Sequence, residues 1–385
     1  MKNIVTLIIA SILCGVLSFQ TKAEINDKTP KTISLLTCEP GNMLYTLFGH
    51  TAIRVKDADS DWVFNYGTFD FDTPNFYGKY IKGELMYQLA AQPFEYFYRT
   101  YNRMEVGVYE QKLILDSVQQ QIIISALMEN YKPENRTYLY DFLYDNCATR
   151  VRDLFEKTLN TDTTTFRWAI AQASDMTFWN LLDSKLRIAP WCEWGIHTLL
   201  GQDGNNVATA REEMFLPEKL MNGLAHATLN GEPIAQQATK IIEYPKRTEV
   251  KTPWYVNPPF AYWALALIII GGTFRRKSVR AIFVPMLFLT GVLGLLLFYL
   301  TAFSLHPMTN PNWNILWACP LNLVFIPFLL KNKWRVINVY LNCYMGLLIA
   351  GVVILFLTTP AIPYATIPLM LIMFYLSYKE LRCLP

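Results

Sequence analysis

The sequence predicts an α+β domain outside the cytoplasm, followed by an α-helical transmembrane bundle of about five spans. Three observations carry this. The N-terminus reads as an export signal, most charged residues lie before residue 257, and five apolar stretches lie after it. Over all 385 residues, hydrophobic side chains make up 52% and charged ones 17%, which is apolar for a soluble protein and reflects that uneven split. The net charge of +3 is too small to call for a nucleic-acid partner.

The opening segment, MKNIVTLIIASILCGVLSFQTKAEIN, has one early lysine, an apolar run and a small residue, Ala23, before Glu24. That pattern is expected to be a signal peptide, 1–23, with a retained anchor as the competing reading. The apolar stretches cover 260–274, 281–303, 314–330, 336–358 and 361–378. Several approach the roughly 20 residues that cross a bilayer. Their connections alternate. RRKSVR, KNKWR and KELR are basic, whereas SLHPMTNPN and TPAIP hold no Lys or Arg. The positive-inside rule places the basic loops and the C-terminus in the cytoplasm. Five spans then put the polar half outside, in agreement with the export signal. Trp254, Tyr255, Tyr262 and Trp263 read as an interfacial aromatic belt. His306 and the TNPNWN segment ending at Asn314 fall on the outer side, where polar groups at membrane depth are candidate substrate-binding residues.

In the polar half, HTAIRV, WVFNYGTF and EVGVYEQKLIL have the β-branched and aromatic content of strands. A helix is expected from Asp116 or Ser117 to Tyr131, with Ser117 and Gln120 as a capping box. Residues 175–200 read as helical, and 231–257 as a polar linker. The stretch YDNCATRVRDLF offers Asp145 or Asn146 as cap of a helix that starts at Cys147. A thiol there meets the positive end of the helix dipole and unpaired amides, which favours the thiolate. Asn146 or the Cys147 amide is a candidate oxyanion donor.

A nucleophilic cysteine needs a base. His50 follows Gly49 on the first strand and shares a face with Ala52 and Arg54. Asn65, Gly67 and Phe69 share a face of the next strand; if His50 lies on that face, Asn65 is a candidate to orient the imidazole in a Cys-His-Asn set. Tyr66 takes that place if the register shifts by one. Cys38, Cys147 and Cys192 are an odd number in the exported half, so at least one thiol is unpaired. Cys38 with Cys192 is a possible bridge. No phosphate-binding glycine loop or closely spaced metal-ligand set appears, so no metal or cofactor is expected.

FGHTAIRV, NYGTFDF, NFYGKYIKGEL, YDFLYDNCATRVRDLF, MFLPEKL and NPNWNILWACPL resemble, in order and over nearly the whole mature chain, the Lnb-type lipoprotein N-acyltransferases of Gram-negative bacteria. The resemblance implies a circularly permuted papain-like domain in which the strand histidine precedes the helix-borne cysteine. It also implies transfer of an acyl chain from a phospholipid, through a Cys147 thioester, to the α-amine of a lipoprotein's diacylglyceryl-cysteine. His50 would be the base, and Arg150 and Arg152, on the cysteine helix, would be placed to meet a lipid phosphate, a solvated helix face being their other reading. The expected layout is a signal peptide at 1–23, a periplasmic catalytic domain at 24–230, a linker at 231–257, an inner-membrane domain at 258–378 and a cytoplasmic tail at 379–385. GQDGNNVAT departs from the pattern, with Asn205 and Asn206 where the resemblance leads one to expect an acidic residue. A membrane-anchored cell-wall peptidase or amidase is the alternative, since Cys-His machinery does not fix substrate. A non-enzymatic scaffold is a second alternative, disfavoured by the intact Cys147, His50 and Asn65.

Overall fold

The computed structural model describes residues 31–41, 43, 46–168, 174–244, 252–276, 278–357 and 362–383. The predicted signal peptide lies outside them. The chain divides into two compact units, one from residues up to 80, 84–172 and 210–246, the other from 81–83, 173–209 and 247 onwards.

The first unit is built on strands β1 (Thr32–Cys38), β2 (His50–Lys56), β3 (Asp61–Thr68), β4 (Met86–Pro93), β5 (Val108–Lys112) and β6 (Thr137–Leu139). Short strands β7 (Phe166–Arg167), β8 (Thr228–Leu229) and β9 (Glu232–Pro233) form a separate sheet, and β10 (Thr239–Ile242) returns to the main one. The main sheet is antiparallel, in the order β10-β5-β1-β2-β3-β4-β6. Its alternating side chains supply two apolar layers. Ile33, Leu35, Ile53, Val55, Phe64 and Tyr66 pack with Ile123, Ile124 and Leu127 of helix Ser117–Tyr131 and with Val151 and Phe155 of helix Cys147–Leu159. Leu36, Cys38, Ala52 and Val63 pack with Phe97 of helix Phe94–Arg103. Arg54 ties β2 to its neighbours, pairing with Asp61 at 2.5 Å and Glu110 at 3.1 Å and lying over the Phe94 ring.

Three local readings are corrected. The capping box of helix Ser117–Tyr131 is formed by Asp116 and Gln119, because the chain stays extended through Asp116 and its carboxylate accepts the Gln119 N–H. Residues 231–257 are not linker throughout, since β9 and β10 join sheets; strands of two and four residues are too short to show a period of two. Residues 175–200 form two helices, Phe178–Leu186 and Pro190–Leu199, because Pro190 has no N–H to continue the first.

The second unit holds those two helices and five apolar ones: Pro258–Thr273, Arg280–Phe303, Leu321–Leu330, Trp334–Leu357 and Ile367–Leu381. Arg280–Phe303, Pro307–Leu330 and Trp334–Leu357 are long and apolar enough to cross a membrane; Pro258–Thr273 is shorter. Only the last ten residues of Pro307–Leu330 are α-helix, after 3-10 turns at Pro307–Thr309 and Trp313–Leu316. The irregular part does another task. Asn312 Nδ2 donates to the Thr198, Leu199 and Leu200 carbonyls at 3.0–3.2 Å, capping the end of helix Pro190–Leu199.

Gly49 immediately precedes β2 with φ +78°, and a Cβ there would lie 2.5 Å from the Cys38 carbonyl oxygen. Gly49→Ala therefore meets both left-handed strain and a backbone clash. A loss of about 1–3 kcal/mol is expected, read as a lower thermal unfolding midpoint.

Candidate active site

The predicted nucleophile and base meet at one end of the sheet. His50 is the first residue of β2, and Cys147 the first of its helix. The register of β3 on β4 breaks between Asn65 and Thr68. Inside that break Gly67 has φ +81°, and a Cβ built on it would lie 3.5 Å from Cys147 Cβ. The glycine is needed for that left-handed backbone rather than for space, since 3.5 Å is ordinary van der Waals contact.

The imidazole and the thiol are hydrogen-bonded to each other. His50 Nε2 lies 3.2 Å from Asn65 Oδ1. That oxygen only accepts, so Nε2 carries the proton and Nδ1 is left for the sulfur. Burial opposes charge on both groups, and mutual attraction overcomes it. The Cys147 pKa is lowered despite burial by the charge and hydrogen bond of His50 and by the backbone N–H groups of Thr51 and Ala148. That of His50 is raised despite burial by the Cys147 charge, the bond to sulfur and the bond to Asn65. The pair favours thiolate and imidazolium, and both residues keep some solvent access.

Asn146, rather than Asp145, caps the helix. Its Oδ1 accepts from Ala148 and Thr149 at 2.8 and 2.9 Å, and its Nδ2 donates to the Phe142 and Phe215 carbonyls at 2.8 and 2.9 Å. Both amide hydrogens are thereby used, which removes Asn146 as an oxyanion donor. The Cys147 backbone N–H has no acceptor among the described residues and keeps that capacity. Tyr66 is buried, and its hydroxyl accepts from Asn130, on the layer away from His50. It does not take the orienting place that Asn65 occupies.

Arg150 is engaged by Asp145, with Nη2 to Oδ2 at 2.6 Å, and lies 3.8 Å over the Tyr138 ring. A phosphate would have to displace that carboxylate. Arg152 is buried, bonded to Asp153 and to the Arg211 carbonyl, so it is neither a solvated face nor a free cation. His306 and Asn314 belong to the second unit. Asn314 is fully buried; its Nδ2 donates to Thr198 and Asn312, and its Oδ1 accepts from Trp317, so its amide is structural. His306 bonds through its backbone to Ser304 and Thr309. Asn205 lies in a 3-10 turn, Gln202–Asn205, docked through the Gly201 and Gln202 amides to Met308 and Pro311. Cys38 and Cys192 are both free, so the possible bridge is absent. Cys38 faces His50 across β1 and β2, and burial pushes its thiol far above the usual range. Among the described residues no His, Cys, Asp and Glu cluster is arranged to hold a metal.

Tyr140 and Tyr87 were not anticipated. Their rings stack 4.1 Å apart, and Tyr140 Cε2 borders the same point above Gly67 as Cys147. Tyr140 sits at an odd spacing before the cysteine on an irregular segment, so no periodicity marks it.

The paired pKa shifts predict that alkylation of Cys147 by iodoacetamide stays fast at neutral pH and falls as acid protonates the thiolate. His50→Ala removes the cation, so the thiol pKa rises and the rate at pH 7 drops, about tenfold for each unit of rise. Asn146→Ala removes a cap with four hydrogen bonds and is expected to cost at least about 2 kcal/mol of first-unit stability by thermal unfolding.

Comparison with known proteins places these features in a family. No curated protein and no solved structure matches the chain. Residues 20–182 match the Lnb N-terminal periplasmic domain, which holds His50, Asn65 and Cys147, and residues 246–383 match the Lnb transmembrane domain. With both domains present in order over most of its length, the chain is an Lnb-type protein: a membrane-anchored enzyme with a periplasmic domain.

Proposed function

We propose that this chain is a lipoprotein N-acyltransferase. The observation that carries the reading is the hydrogen-bonded Cys147–His50 pair, held by Asn65, in a chain whose second unit is a membrane domain. The Cys147 thiolate attacks an acyl-ester carbonyl of a phospholipid. The tetrahedral intermediate collapses, and the departing lyso-lipid alkoxide takes the proton from His50. The thioester is then attacked by the α-amine of a diacylglyceryl-cysteine, His50 accepts a proton from that amine, and the Cys147 thiolate leaves. Dividing the transfer suits two lipid substrates that meet the enzyme in turn. In this reading the first unit is a permuted papain-like domain, since the histidine strand precedes the cysteine helix. The five apolar helices are five spans with the C-terminus in the cytoplasm, as the basic connections require. Asn65 orients the imidazole. Arg150 would reach lipid phosphate only by exchanging it for Asp145.

The test is the intact mass of the purified protein after incubation with phospholipid alone. One added acyl chain, absent in Cys147→Ala and released by hydroxylamine, is expected. His50→Ala should slow adduct formation by about 10²–10⁴. A folded protein that gains no adduct and instead cleaves cell-wall peptides would replace this reading with the peptidase.

A further inference from the structure

The attack by Cys147 converts a carbonyl into an oxyanion that must be held by donors placed in advance. The backbone N–H of Cys147 is one. A second is not obvious, because most polar groups around the thiol are committed. Asn146 has spent both amide hydrogens on the Phe142 and Phe215 carbonyls. The Thr51 N–H is turned on the sulfur, and the Ala148 N–H is shared between the sulfur and Asn146 Oδ1, so both already serve the thiolate and the helix cap before attack. Arg150 is held by Asp145. Asn65 uses its Oδ1 on His50 and its Nδ2 on the Val63 carbonyl.

Tyr140 is different. Its ring edge and Cys147 Cβ converge on Gly67, at 3.6 and 3.5 Å from the same constructed Cβ position. Its ring is held flat on Tyr87. Its hydroxyl has no partner among the described residues, and the residue keeps some solvent exposure. Burial and the negative charge of Cys147 hold its pKa well above the usual phenol value, so it remains a donor whenever the thiolate is present.

We propose that the Tyr140 hydroxyl is the second oxyanion donor, acting with the Cys147 amide on the tetrahedral intermediate. It donates a hydrogen bond and transfers no proton: the sulfur–carbon bond forms, the carbonyl π pair moves to oxygen, and collapse expels the leaving group, which His50 protonates where needed. The assignment rests on Cys147 being the nucleophile.

The experiment compares wild type with Tyr140→Phe, which keeps the ring and its stack on Tyr87, in two reactions. Acylation is followed with p-nitrophenyl butyrate, whose attack passes through an oxyanion whatever the natural substrate, and with phospholipid. Alkylation by iodoacetamide passes through none. Tyr140→Phe is expected to slow acylation by roughly 10²–10³-fold while leaving alkylation unchanged. Unchanged acylation would overturn the assignment. An equal fall in both rates would also overturn it, since Tyr140 would then act on the thiolate or on the fold. Wild type that is acylated by the activated ester but not by phospholipid would refute the lipid substrate and still leave the Tyr140 comparison readable.

Discussion

Four hydrogen bonds to one amide side chain hold the site in position. Asn146 accepts from the first free N–H groups of the cysteine helix and donates to carbonyls on either side, Phe142 just upstream and Phe215 far along the chain. It therefore fixes where the helix begins, and so where the thiol lies relative to the helix amides and to His50. The thiolate and imidazolium stabilise one another only at short range, and in a half-buried setting each would be costly without the other. Gly49 completes the arrangement by allowing a backbone approach that a side chain would disturb, and Gly67 by taking a left-handed φ that side chains disfavour.

What was legible in the sequence was the local chemistry. The cap–cysteine–helix pattern and the strand histidine are short-range signals, and period-two counting assigned His50 and Asn65 each to a face of its own strand without matching the two faces. The register that makes them neighbours is set by pairing of β2 with β3, which no single strand encodes. Roles that depend on long-range partners were less legible. Arg152 looked like a surface cation because its acceptor, the Arg211 carbonyl, lies 59 residues away. Asn314 looked like a membrane-depth site because its buried partners come from the end of another helix. Tyr140 carried no signal, since its position follows from a stack with Tyr87 on another strand.

The membrane half divides in the same way. Hydropathy located three of the apolar helices to within two residues at each end, because length and composition are local properties, but it started the third and fifth six or seven residues early. It did not reveal that the segment from Pro307 begins as 3-10 turns. There the backbone is shaped by the carbonyls that Asn312 must reach, and tertiary hydrogen bonding overrides helical propensity.

The bond from Asn65 to Nε2 has a kinetic meaning for the proposed reaction. It fixes the ring so that one nitrogen, Nδ1, gives up a proton in the first half and receives one in the second, with no ring flip between them. The machinery is then reset by the chemistry itself and is indifferent to whether an amine or a water molecule arrives. Fidelity of a ping-pong transfer built this way falls on how long the thioester is shielded from water before the amine docks, and hydrolytic leakage measures that shielding.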